Sequence, residues 1–181
     1  WSLEFLAVVS VIDVGLCNLA AVRSAMEAAA GPSGEVQVAR RPEELAPDGL
    51  IVLPGVAATD TLLRKLQERG FCEALHAARA HGWPILGLCA GFQAMFDYTE
   101  EGQGADGLGW FAGAVRRLDR PRIGWAWCGG AWLYHCHGFA ADQDGEPILS
   151  ARKGRILGFQ GHPEKSGRAG IALLRSILAG Q

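Results

Sequence analysis

The run Gly87-Leu88-Cys89-Ala90-Gly91-Phe92-Gln93 constrains this chain more than any other stretch. It follows an apolar segment, Trp83-Pro84-Ile85-Leu86, that reads as a buried strand, and it precedes a helix-like run, Ala94-Met95-Phe96. A cysteine with glycines at minus two and plus two, set between a strand and a helix, has the layout of a nucleophile elbow. Side chains at the flanking positions would strike the neighbouring strand and helix, so the turn demands glycine. The Cys89 sulfur then projects from the tip at a helix N-terminus, whose partial positive charge favours thiolate over thiol.

The rest of the first half alternates short apolar runs with helical patterns. Strands are expected at Leu6 to Ile12, Val36 to Ala39, Leu50 to Leu53 and Pro84 to Leu88. Helices are expected at Leu19 to Ala30, Thr61 to Arg69 and Cys72 to His81, with Gly70 as a break. This β-α-β order implies an α/β fold, an open and mostly parallel sheet with helices on both faces. The second half, Trp110 to Gln160, is richer in glycine and tryptophan, which predicts antiparallel ribbons. Ile171, Leu174, Ile177 and Leu178 have helical spacing and predict a closing helix after Ser166-Gly167. The glycine-rich Gly102 to Gly109 neither follows a strand nor opens a helix as a phosphate loop would, and it reads as a loop.

At 181 residues, one domain spanning 1–181 is expected. A net charge of -2 gives no electrostatic footprint for nucleic acid or an anionic membrane. Arg40-Arg41 and Arg116-Arg117 read as solvated edges. The first residues are apolar for only about ten positions, too short to span a bilayer and without a secretory cleavage pattern, and they read as the first strand of a trimmed N-terminus. Five cysteines without regular spacing argue against a disulfide framework and for a reducing cytoplasm. Cys17, Cys72, Cys128 and Cys136 read as small buried hydrophobes. Cys136 between His135 and His137 suggests metal ligands, but no second ligand pair follows at zinc spacing, so no metal site and no cofactor is expected.

A second motif, Phe159-Gln160-Gly161-His162-Pro163-Glu164-Lys165-Ser166-Gly167, completes the chemistry. His162 can take the thiol proton, and Glu164 can hold the far imidazole nitrogen and fix its tautomer. Nucleophile, base and orienter are the three parts of a covalent hydrolytic site. The oxyanion of such a site needs two backbone donors, and the residue after the nucleophile, Ala90, supplies one.

With both motifs in hand, the chain resembles the class I (triad) glutamine amidotransferases. Within them, His162 to Gly167 is most similar to the glutaminase subunit of imidazole glycerol phosphate synthase. Val11 to Glu27, Leu50 to Gly70, Gly107 to Leu118 and Arg122 to Trp127 agree in the same order. The resemblance implies hydrolysis of L-glutamine and release of ammonia to a (β/α)8-barrel cyclase subunit in a heterodimer. It places the second oxyanion donor in Gly55-Val56-Ala57 and gives Gln93 a substrate-positioning role. Departures accompany it. Ala57 stands where the family has glycine, as does Cys17. Gly138-Phe139 replaces Ser-Tyr after His137, and Gly161 replaces an aromatic. Three other readings stay open: a glutaminase serving a different synthase, a binding module that kept the fold, and a cysteine peptidase on a similar scaffold.

Overall fold

A computed structural model describes residues 8–180. Its frame is a six-stranded sheet in the order β10-β11-β4-β3-β1-β2. The strands are β1 (Val8–Ile12), β2 (Glu35–Ala39), β3 (Leu50–Gly55), β4 (Ile85–Cys89), β10 (Ser150–Lys153) and β11 (Ile156–Phe159). All neighbours are parallel except β10, which runs antiparallel to β11. The predicted first strand is seen from Val8; Leu6 and Ala7 lie outside the described residues.

The helices are α1 (Leu19–Ala30), α2 (Thr59–Glu68), α3 (Phe71–Ala80), the single turn α4 (Ala90–Gln93) and α5 (Gly167–Leu178). Strand alternation sorts them onto two faces. Ile51, Leu53 and Ile85 pack with Leu62 and Leu66 of α2 and Phe71 and Leu75 of α3. Leu50, Val52, Leu86 and Leu88 pack with Val22 and Met26 of α1 and Leu174 and Leu178 of α5. A sheet buried on both faces reads as continuous apolar runs rather than as alternation, and β3 is such a run.

A second sheet carries the order β6-β5-β7-β8-β9. It contains β5 (Phe96–Thr99), β6 (Ala105–Asp106), β7 (Phe111–Cys128), β8 (Ala131–Gln143) and β9 (Glu146–Ile148). Long β7 and β8 pair antiparallel around the tight Gly129-Gly130 turn, as the composition of this half predicts. The glycine-rich loop contains one short strand, β6, paired with Tyr98 and Thr99.

One expectation fails here. Ala94-Met95-Phe96 is not helical: α4 ends at Gln93 and Phe96 opens β5. The reason is competition for carbonyls. Leu108 N–H bonds Ala94 O at 2.8 Å, and Trp110 and Phe111 N–H bond Met95 O at 2.8 and 3.1 Å. The second sheet takes the acceptors that the next helical turn needs.

Candidate active site

Cys89 ends β4 and Gly55 ends β3, and the two are register partners at the carboxyl edge of the sheet. This edge is where open α/β sheets place their ligands. Cys89 has φ 51° and ψ −111°, one of three positive-φ non-glycine residues among those described. Such a conformation costs about 1–3 kcal/mol and persists only where its surroundings enforce it. Both elbow glycines are sterically required. A Cβ at Gly91 would lie 1.8 Å from Leu53 O, and one at Gly87 would lie 2.8 Å from Phe92 Cα.

His162 arrives from the next strand over. It follows β11, and its N–H bonds Tyr134 O of β8 at 2.8 Å in an isolated bridge. Ser166 Oγ donates to His162 O at 2.6 Å and accepts Tyr134 N–H at 2.9 Å, which clamps the turn from both sides. His162 Nδ1 lies 2.7 Å from Glu164 Oε1, and both side chains are 3% exposed. With Nδ1 occupied, the Nε2 nitrogen is left to serve Cys89, whose sulfur is near enough to act on the imidazole charge. Burial disfavours charge on His162, but the hydrogen bonds and negative charge of Cys89 and Glu164 outweigh it and push its pKa up to about 9. The structure therefore brings Cys89, His162 and Glu164 together at one site.

The helix N-terminus contributes less to Cys89 than its sequence suggests. With only four residues, α4 sums few peptide dipoles, so the neighbouring imidazole is the larger source of positive charge. Ala90, the first residue of α4, has an N–H without an intrahelical acceptor. Across the edge, Val56 is 53% exposed and its N–H is committed to Leu16 O at 3.0 Å. Ala57 is absent from the positive-φ residues, in keeping with its Cβ. Gln93 is 4% exposed and fully engaged: its Oε1 accepts from Thr59 Oγ1 at 2.7 Å, and its Nε2 donates to Phe139 O at 2.7 Å and Gln160 Oε1 at 3.1 Å.

One departure in the sequence, Gly161, has a local cause. A Cβ at Gly161 would meet Leu133 Cβ at 2.8 Å and His135 Nε2 at 3.0 Å, so His135 occupies ground that an aromatic at 161 would need. Along β8 the alternation points His135 and His137 inward and Cys136 outward, so the three cannot converge on an ion. Cys136 is exposed, against the expectation of burial, while Cys128 is buried and Cys17 and Cys72 are half-buried. His137 Nδ1 donates to Phe139 O at 2.8 Å, which leaves its Nε2 to accept from His135 Nδ1 at 3.2 Å. Burial first, then the charges of His137, Arg122 and His162, hold His135 down to about 4. Cys17 is pushed up to about 11 by burial, then by Asp13 and Glu164, so it stays a thiol beside the triad.

The site is closed in this conformation, with Cys89 6% and Gln160 0% exposed. A cavity of about 680 Å³ lies instead between α2, α3 and the β6 region, lined by Asp60, Arg64 and His76. Sequence reasoning did not single out Gln160, Thr59 or Tyr134, and it named His135 only in the metal reading set aside above. Gln160 was visible only as a neighbour of the His-Pro-Glu motif, and its inward direction depends on the pleat after β11.

Residues 28–124 match the model of the CobB/CobQ-like glutamine amidotransferase domain. The imidazole glycerol phosphate synthase subunit HisH of Symbiobacterium thermophilum is 34% identical, over 93% of this chain and 92% of that protein. HisH of Thermus thermophilus is also 34% identical, over 90% and 92%. Among solved structures, a glutamine amidotransferase superposes with TM-score 0.75 at 18% identity, covering 96% of this chain and 99% of that one. PurLQS from Thermotoga maritima superposes with TM-score 0.66 at 18% identity, covering 94% and 97%. The chain belongs to the glutamine amidotransferase family of imidazole glycerol phosphate synthase subunit HisH.

Proposed function

We propose that this chain hydrolyses L-glutamine with Cys89, His162 and Glu164 and passes the ammonia to a cyclase subunit, in the cytoplasm, as the glutaminase half of imidazole glycerol phosphate synthase. The observation that carries the mechanism is the buried His162 Nδ1–Glu164 Oε1 contact at 2.7 Å, with the Cys89 elbow acting on the same imidazole. Cys89 Sγ attacks the carboxamide carbon, and the C=O π electrons move to oxygen. Ala90 N–H and a donor from Gly55 or Ala57 receive that oxyanion; Val56 N–H is already spent on Leu16 O. His162 gives its proton to the leaving nitrogen, and ammonia departs. Water, deprotonated by His162, then opens the thioester to glutamate and restores the thiol. Glu164 keeps the imidazole oriented and supports its positive charge.

The partner reading has support away from the site. Ile123, Trp125, Trp127 and Trp132, at the outer end of the β7–β8 pair, are 70%, 58%, 60% and 55% exposed. Large apolar residues gathered in this way mark interaction surfaces. The fold also matches the role: no helix among the described residues is long and apolar enough to cross a membrane, and the cysteines are free, as in a reducing compartment.

The test is ammonia release from glutamine, with and without a cyclase subunit and its ligand. Cys89→Ala is expected to lower turnover by at least ~10⁴-fold while the protein stays folded. Turnover that survives Cys89→Ala overturns the mechanism, and turnover indifferent to the cyclase assigns a different acceptor.

A further inference from the structure

We infer that Gln160 is a positioning residue for the Cys89 nucleophile, its side-chain amide acting beside His162 as a second hydrogen-bond donor to the sulfur. Gln160 follows β11 directly and is wholly buried, with its backbone N–H fixed on Leu149 O at 2.8 Å. Its Nε2 lies 3.8 Å from Cys89 Sγ, within reach of an N–H···S bond.

Which end of the amide faces the sulfur is decided two hydrogen bonds away, at Phe139. Phe139 O is a carbonyl and only accepts, so the Gln93 atom 2.7 Å from it is the donor Nε2. The Oε1 of Gln93 then takes the Thr59 hydroxyl proton, at 2.7 Å. The second Nε2 hydrogen of Gln93 goes to Gln160 Oε1 at 3.1 Å, which turns the Gln160 NH₂ toward Cys89. Reversing either amide would set oxygen against oxygen or nitrogen against nitrogen in a buried site, at a desolvation cost that native structures avoid. His137 Nδ1, also donating to Phe139 O, fixes the carbonyl that sets the polarity of the whole chain.

A buried amide donor beside a sulfur discriminates between its two states. It bonds strongly to a thiolate, weakly to a thiol, and adds no net charge. His162 supplies the charge and Gln160 a neutral contact that persists when His162 hands its proton to the leaving nitrogen. The titratable groups facing the pair are His162 and Glu164 from the segment after β11, and His135 and His137 from β8. Beyond them lie Glu101, which accepts Thr59 N–H at 2.8 Å, and Cys17 beside Glu164.

The experiment follows iodoacetamide alkylation of the Cys89 peptide in the whole protein, by mass spectrometry, across pH. Gln160→Met keeps the bulk and removes the donor. Its alkylation midpoint is expected to move up by about one pH unit, as for loss of a hydrogen bond to a charged group. Gln160→Glu sets an acceptor against the sulfur and should move the midpoint further the same way. In glutaminase assays kcat should fall with KM little changed. Unchanged midpoints in folded Gln160→Met and Gln160→Glu overturn the inference. Should the Glu variant not fold, the Met variant decides alone, and Gln93→Met, which frees the Gln160 amide to turn, should give the same upward shift. The inference rests on Cys89 as the nucleophile; failure of that reading shows separately, as turnover that survives Cys89→Ala.

Discussion

At the carboxyl edge of the six-stranded sheet, Cys89, Gln93, Gln160 and His162 are all under 7% exposed, and the two glutamine amides are hydrogen-bonded inside the protein. At the outer end of the β7–β8 ribbon, four large apolar residues stand more than half in solvent. Both regions sit on strands, but different forces fix them. The sheet edge is held by its own neighbours: the elbow glycines, the Phe139 carbonyl and the Tyr134 bridge leave no other arrangement. The ribbon end is held by pairing of β7 with β8 and by edge-on contacts between Trp127 and Trp132 and between Trp125 and Tyr134, at 6.1 and 5.9 Å. A surface that gains little stability from its tryptophans has them for another purpose, and under the proposed function that purpose is the cyclase.

Substitution on each side should separate the two. The largest effect is expected at the elbow. Gly91→Ala forces a Cβ into Leu53 O and should cost about 3 kcal/mol or more of stability, read as a fall in denaturation midpoint, with turnover lost alongside. The paired change Trp125→Ser and Trp132→Ser should leave stability within about 0.5 kcal/mol, as for exposed positions elsewhere. It should weaken binding of a cyclase subunit by about 2 kcal/mol or more, roughly 30-fold, in a titration. Equal destabilisation by the two changes would break the comparison and make the ribbon part of the core.

A smaller effect sharpens it. In Cys89→Ala, His162 loses the Cys89 hydrogen bond and charge that raise its pKa, while burial still lowers it and Glu164 still raises it. Its titration midpoint, followed by NMR of the imidazole, should therefore drop from about 9. His135, on the inner face of the ribbon, is held near 4 chiefly by burial and should stay neutral above pH 6 in both proteins. A His162 midpoint that does not move would mean that Glu164 alone sustains the charge.

The two regions were also unequally legible in the sequence. The helices from Leu19 to Ala80 fall within two residues of their expected limits, because helical spacing and the break at Gly70 are local signals. The triad residues stood out because their neighbours, Gly87, Gly91 and Pro163, are turn formers at fixed offsets. The ribbon was predicted only as a kind, because nothing local says which residue of β7 faces which of β8. Phe139 offers the site its carbonyl, and a backbone atom leaves no trace in composition. The end of α4 was misplaced for a related reason: the Ala94 and Met95 carbonyls just beyond it accept from Leu108 and Trp110, far along the chain. Gln160 needed the pleat, the Gln93 amide and the Thr59 hydroxyl together before its direction could be known.

The bridge between Tyr134 and His162 has a consequence of its own. Trp125 pairs with Tyr134 across the ribbon, and the Tyr134 carbonyl grips the His162 main chain. The ribbon is thus a short lever whose fulcrum lies on the main chain of His162 itself, and a load on the tryptophan surface reaches the imidazole through main-chain atoms. No side-chain substitution at position 134 deletes a carbonyl. This linkage can outlast wide drift in the residues around it, while contacts made by side chains are rewritten.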